Sequence, residues 1–248
     1  MSNIHQLIEE GRIGEVRALL QAEPSNRDSM DGLSNRPLHV AAYSGQAGVA
    51  QLLLDSGADA NARGDMNRTP LHYAARAGES AIAKLLVEHG AELAPIDAHG
   101  LTPLFYAAQG QPDLSDVARV LLDNGVPVDM DSGVWLYDAS QLEQRLASEP
   151  DAIKKAIQPE DLLNQAVIKG DLSSLEVLLR HGAPINGTEK ARPLTLALPR
   201  PGILKKLLEA NADVNVRDSS GETVLQNARR SGASKEVLEL LHKFGAKD

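Results

Sequence analysis

The sequence predicts an all-α fold built from repeated modules, and three observations carry that expectation. A stretch reading Pro-Leu-His or Pro-Leu-Phe returns at fixed spacing, with Pro37, Pro70 and Pro103 each 33 residues apart. A second stretch follows each copy: LLLDSGADAN at 52–61, LLVEHGAEL at 85–93 and LLDNGVPVD at 121–129. Apolar residues make up 42% of the chain but aromatic residues only 3%, so the core must rest on Leu, Ala, Val and Ile. Ala and Leu are strong helix formers. Similarity at a period of this length marks modules that bury a continuous core only against their neighbours.

The elements of each module follow in order. Thr69 and Thr102 stand where a hydroxyl caps a first helix. Pro70 and Pro103 follow at the first helical position, where the missing N–H costs nothing. Arg36 and Arg192 replace the threonine and predict weaker caps. Ala74-Ala75 and Ala107-Ala108 are small enough for neighbouring helices to approach closely. Leu52-Leu53, Leu85-Leu86 and Leu178-Leu179 supply bulk on a second helix. Gly57, Gly90, Gly125, Gly182 and Gly245 stand just past helix ends, where left-handed backbone is wanted, and Asn211 takes that place once.

The combination of Thr-Pro-Leu-His, Ala-Ala-x-x-Gly, Leu-Leu and Gly-Ala-Asp-x-Asn at this period resembles the ankyrin repeat family, over nearly the whole chain. The resemblance implies an ankyrin-type helical solenoid: paired antiparallel helices joined by β-hairpin-like loops and stacked in sequence. On this register residues 1–248 form a single domain with repeats at 1–30, 31–63, 64–96, 97–131, 158–186, 187–217 and 218–248. The register breaks once. From Pro103 to Leu162 is 59 residues, one period plus 26. Residues 132–157 are therefore expected to be a degenerate, shortened repeat, with SGVWLYDAS (132–140) in the place of a hairpin loop. The prolines of LPRPG (198–202) are expected to truncate a first helix.

Composition narrows the function. A net charge of −9 opposes a phosphate backbone, so nucleic acid is not expected as a partner. There is no cysteine, which removes disulfides, thiolate metal sites and Cys nucleophiles. The N-terminus lacks the apolar run of a signal peptide, and no stretch has the length of a membrane span. The expectation is a cytoplasmic monomer with no membrane contact, no metal and no cofactor. No H-E-x-x-H, G-x-S-x-G or phosphate-cradling glycine loop occurs. DMDSG (129–133) starts like a calcium loop, but Gly133 stands where an oxygen ligand belongs. The scattered Asp and Glu residues read as solvated surface.

His39 and His72 occupy one repeat position, with Phe105, Asn164, Thr195 and Gln226 in other copies. A catalytic base needs one particular partner rather than a place in a lattice. The resemblance implies that this histidine bridges its helix start to the adjacent hairpin. No catalytic residue is expected. If there is an enzyme here at all, the irregular segment 129–161 is where a cryptic site would lie.

Recognition belongs to the positions that differ between copies on the exposed concave face. At the hairpin tips these include Met66 and His99, with Thr188 and Glu189 further along. At first-helix ends they include Tyr43, Arg76, Lys169, Arg200 and Arg230. The four cations are candidates to receive an acidic surface of a partner. Trp135, the single tryptophan, and Tyr137 are either a contact anchor or a cover over the gap left by the short repeat. The function expected is a non-catalytic protein–protein interaction module that docks a folded partner, with an inhibitor or immunity-type role against an enzyme as one specific form.

Overall fold

A computed structural model of the chain describes residues 3–109, 115–156, 162–187 and 192–247. Thr188 and Glu189 lie outside the described residues. The contacts divide the chain into two compact units, Met1–Val128 and Asp129–Asp248.

The first unit consists of four helix pairs: α1 (Ile4–Glu9) with α2 (Ile13–Ala22), α3 (Pro37–Tyr43) with α4 (Ala47–Asp55), α5 (Pro70–Ala77) with α6 (Ser80–Glu88), and α7 (Pro103–Ala108) with α8 (Asp116–Asp123). The first helices α1, α3, α5 and α7 pack side by side in one layer. The second helices α2, α4, α6 and α8 form another. The small pairs Ala41-Ala42, Ala74-Ala75 and Ala107-Ala108 are buried in the first layer. Leu53, Leu86 and Leu121 are buried in the second.

The second unit contains α9 (Met130–Leu136) with α10 (Ala139–Ser148) and the short α11 (Ala152–Lys155), then α12 (Leu162–Lys169) with α13 (Leu172–Arg180), α14 (Pro193–Leu196) with α15 (Pro201–Glu209), and α16 (Val224–Arg230) with α17 (Lys235–Lys243). The first helices α9, α12, α14 and α16 again pack in order. Their core includes Val134, Leu142, Leu163, Leu175, Leu194, Leu204, Leu225 and Leu241. The helix α14 has only 4 residues against 8 in α5. The prolines cut it as expected, and Pro201 opens α15 at a first-turn position where its ring fits.

Hairpin-like loops join the modules. Each closes with one main-chain bond: Asp31 N–H to Asn35 C=O at 2.9 Å, Gly64 to Arg68 at 2.9 Å, Asp97 to Leu101 at 3.0 Å, and Asp218 to Glu222 at 3.0 Å. Among the described residues no strand forms beyond one bridge between Arg217 and Thr223. At the helix ends Gly57 and Gly90 have φ of 83° and 77°, and Asn211 has 66°. The asparagine thus adopts the left-handed backbone its register demands.

The break in register lies elsewhere than expected. Residues 132–140 are not a hairpin loop, because α9 already begins at Met130. From Pro103 to Met130 is 27 residues, and from Met130 to Leu162 is 32. The module from α9 to α11 is therefore almost full length. What is missing is the hairpin before it: only Val126, Pro127, Val128 and Asp129 separate Gly125 from α9. The described part of 129–161 is mostly helical, which corrects its reading as an irregular segment. Asp129 caps α9 by accepting the Ser132 N–H at 2.7 Å, a helix-start duty rather than a calcium-loop one.

Candidate functional site

Recurring polar side chains hold neighbouring modules together. His39 Nδ1 accepts the Arg36 N–H at 3.1 Å, and its Nε2 donates toward the carbonyls of Ala62 (3.0 Å), at the end of its own module, and Arg68 (3.2 Å) in the next. His72 repeats this: Nδ1 accepts the Thr69 N–H at 3.1 Å and Nε2 donates to the Leu101 carbonyl at 3.1 Å. Burial pushes both imidazoles toward the neutral form, His72 down to about 4. A neutral ring with one donor and one acceptor is what the two bonds require. The scaffold reading of the histidines holds. In the last module Gln226 does the first half of this work, its Oε1 accepting the Thr223 N–H at 2.9 Å.

Two further recurring devices were not read from the sequence. Asp31, Asp97 and Asp218 fold the hairpin turns. Each gives one carboxylate oxygen to two backbone N–H groups, for instance Asp97 Oδ1 to His99 (2.8 Å) and Leu101 (3.0 Å). Asp97 is only 4% exposed, so it is no solvated surface acid. Its other oxygen accepts the Tyr106 hydroxyl at 2.7 Å and meets Arg68 Nε at 3.3 Å. Burial alone would raise its pKa. The Tyr106 hydroxyl and the two N–H donors outweigh that and hold the carboxyl below its usual range. The second device is the asparagine of Gly-Ala-Asp-x-Asn. Asn61 donates to the Gly90 carbonyl at 3.1 Å and accepts the Glu92 N–H at 2.7 Å, one module on. Asn215 does the same at Gly245 and Lys247.

The residues that differ between copies are placed as follows. In the first unit Tyr43 and Arg76 are exposed at the ends of α3 and α5 and line one cleft of about 290 Å³. Its other lining includes Leu33, Tyr73 and the carboxylates of Glu9, Asp31 and Asp65. Met66 and His99 are exposed on hairpin tips. Met66 has φ of 52° and accepts the Ala98 N–H at 2.8 Å, so its backbone links two tips.

In the second unit two of the three basic residues end the preceding first helix. Lys169 Nζ donates to the carbonyls of Val134 (3.2 Å) and Tyr137 (2.9 Å) at the end of α9. Arg200 donates to the Ile168 carbonyl in α12 at 3.1 Å. Cations bonded to terminal carbonyls complement the helix dipole. Arg230, exposed, bonds Asn227 at 2.7 Å and pairs with Glu222 at 3.0 Å. It borders a cleft of about 610 Å³ left open beside the short α14. These three charges have internal duties, which weakens the case for a basic stripe facing a partner.

Trp135 is not at a hairpin tip. It lies in α9 at the register of Ala108 in α7 and is 6% exposed, and Tyr137 is half-buried against the core of the second unit. Burial corrects the tip placement and leaves Trp135 no free face to offer. Among the described residues no group of three or more His, Cys, Asp or Glu is placed to hold a metal ion, and no helix is long and apolar enough to cross a membrane.

Comparison with known proteins finds ankyrin repeats in the first unit. Residues 35–65 match the model of the ankyrin repeat, and residues 62–132 match a model of three ankyrin repeats. Residues 35–132 are ankyrin repeats. Ankyrin repeat and SOCS box protein 6 of Mus musculus is 29% identical over 130 residues, covering 50% of this chain and 26% of that protein. Its counterpart in Pongo abelii is 35% identical over 95 residues, covering 34% and 23%. The chain thus matches about a quarter of the length of these curated relatives. The human ASB11 ankyrin repeat domain aligns over 100% of both chains with a TM-score of 0.51 at 21% identity, which shows the fold. Ankyrin repeats are generally protein-binding modules, and the ankyrin stack here keeps its recurring polar groups occupied internally.

Proposed function

We propose that the chain is a non-catalytic docking module that holds a folded partner protein on the first helices and hairpin tips within its units. One observation carries the reading. Eight large apolar side chains are exposed among the described residues: Ile13, Met30, Leu33, Tyr43, Met66, Ile96, Ile168 and Leu172. All but Ile13 and Leu172 belong to hairpin loops or first-helix ends. Scattered exposed apolar residues mean little, but their concentration on one kind of position marks a contact surface. A preformed surface of this kind docks a partner with little loss of conformational freedom. Occluding an enzyme's active site, as an inhibitor or immunity-type protein does, is the specific form proposed. The acidic balance favours a protein over nucleic acid or a membrane surface, and the lack of cysteine suits a reducing compartment.

Affinity capture from the native lysate tests this, with the wild-type chain beside a Tyr43→Ala/Arg76→Ala double variant. The expected result is one stoichiometric protein that the double variant loses. An enzyme whose activity falls on adding the chain supports inhibition. A captured set identical for both chains contradicts docking on this face.

A further inference from the structure

We infer that the cleft beside Tyr43 in the first unit seats a cationic side chain, an arginine or lysine, of the docked partner. The inference rests on the docking reading above and names the chemistry of one contact. The cleft is bounded by α1, α3 and α5 and by the first two hairpin tips. Its most accessible walls are apolar or aromatic: Leu33 is 64% exposed and Tyr43 is 55% exposed. Tyr73 meets the Tyr43 ring edge-on with centroids 6.2 Å apart, and its hydroxyl is tied to Asn35 Oδ1 at 2.8 Å. The two rings are therefore held in place, with one of them open to solvent.

The charge around this aromatic surface is one-sided. Glu9, Asp31 and Asp65 contribute three carboxylates. Among the described residues none of the three makes an ion pair with a basic side chain. Of the basic groups lining the same cleft, His39 is neutral, since burial pushes its pKa down and its ring is bonded at both ends. Arg68 is already paired with Asp97 and bonded to the Tyr106 hydroxyl at 3.2 Å, its guanidinium 5.5 Å from the Tyr106 ring. Only Arg76 remains, and it stands at one end, one module beyond Tyr43. Asp31 is committed to its turn, accepting the Leu33 and Asn35 N–H groups at 2.8 Å and Asn35 Nδ2 at 3.3 Å, which leaves Glu9 and Asp65 as the two carboxylates set against a single uncommitted guanidinium.

A partner that closes this cleft must take those carboxylates out of water. An apolar side chain would leave them desolvated and unpaired, which is costly. An acidic one would add repulsion. A guanidinium or ammonium meets both features at once, since the face of a tyrosine ring attracts a cation and the carboxylates pair with it. Its methylene stem would lie along Leu33. An acidic rim on open surface would carry no such argument. Here the concavity and the open tyrosine ring supply the second half of the fit.

The test uses N-acetyl-arginine methylamide as probe, titrated into the full-length isotope-labelled chain and followed by amide and tyrosine chemical shifts. Its citrulline counterpart, equal in shape and uncharged, serves as control. Saturable shifts at Tyr43, Asp65 and Leu33 are expected, with arginine bound about fivefold more tightly than citrulline. Asp65→Asn and Glu9→Gln should each reduce that preference, and Tyr43→Ala should abolish it. All three side chains are at least partly exposed, and an unchanged melting temperature shows that each variant folds. Equal response to arginine and citrulline, or arginine shifts that map outside the cleft, would overturn the inference. The docking reading is tested separately by capture. If Tyr43→Ala/Arg76→Ala loses the partner while the arginine probe shows no preference, docking stands and the cationic seat falls.

Discussion

His72 carries the sharpest consequence at the scale of single residues. Its folded pKa, about 4, lies below the ordinary histidine value near 6.5. Between these values the unfolded chain holds a proton that the folded chain refuses. Stability is therefore full above about pH 6.5 and falls as pH drops toward 4, by on the order of 3 kcal/mol from this residue. His39, shifted in the same direction, adds to the slope. Urea midpoints of the wild type and His72→Gln, measured at intervals from about pH 7.5 to about pH 4.5, check this. The glutamine should cost about 1 kcal/mol at neutral pH and flatten the slope. Parallel curves would contradict it. That the histidines serve the scaffold was legible because two copies stand in register, and their bridging bonds were what the family resemblance implied. The aspartate turns were not: Gly64 interrupts the series between Asp31 and Asp97, and Asp218 falls after the broken register. Nor could position alone show that Lys169 and Arg200 end helices, since the carbonyls they meet belong to the preceding module.

At the scale of elements, α9 shows what a motif can hide. It lacks the opening proline, carries Gly133, and puts Trp135 where α3, α5 and α7 have alanine, so its sequence reads as loop. Two signals pointed the other way: Asp129 as a cap, and a 32-residue interval back from Leu162. By contrast α3, α5 and α7 were legible almost to the residue, because proline and small pairs recur there. Lys169→Met should leave the Val134 and Tyr137 carbonyls without their donor, costing about 1 kcal/mol. Faster amide exchange over α9 with little change in α16 is the expected readout. Leu86→Ala removes a fully buried side chain from the second-helix layer and should cost about 2–5 kcal/mol by denaturant unfolding. A cost below about 1 kcal/mol, near the range of ordinary surface substitutions, would mean that the layer is not packed as described.

At the scale of the molecule the lone tryptophan belongs to the second unit, which makes it a selective reporter. Being buried, it should emit blue-shifted fluorescence protected from acrylamide, and an exposed spectrum would contradict its place in α9. Modules couple mainly to their nearest neighbours. Leu86→Ala, placed in the first unit, should therefore lower the midpoint seen by far-ultraviolet circular dichroism more than the midpoint seen by Trp135. The family, the helix pairs and their order were legible from spacing. The boundary between units, at Val128 and Asp129, was not, because no repeat motif marks it.

The central claim divides the labour: recurring side chains stack the modules, and non-recurring ones meet the partner. Titration calorimetry with the captured partner tests it, comparing His72→Gln and Tyr43→Ala with the wild type. The expected result is that His72→Gln lowers the melting temperature but leaves the dissociation constant unchanged, whereas Tyr43→Ala weakens binding about tenfold or more at constant melting temperature. The reverse pattern, with binding lost in the histidine variant and kept in the tyrosine one, would contradict it.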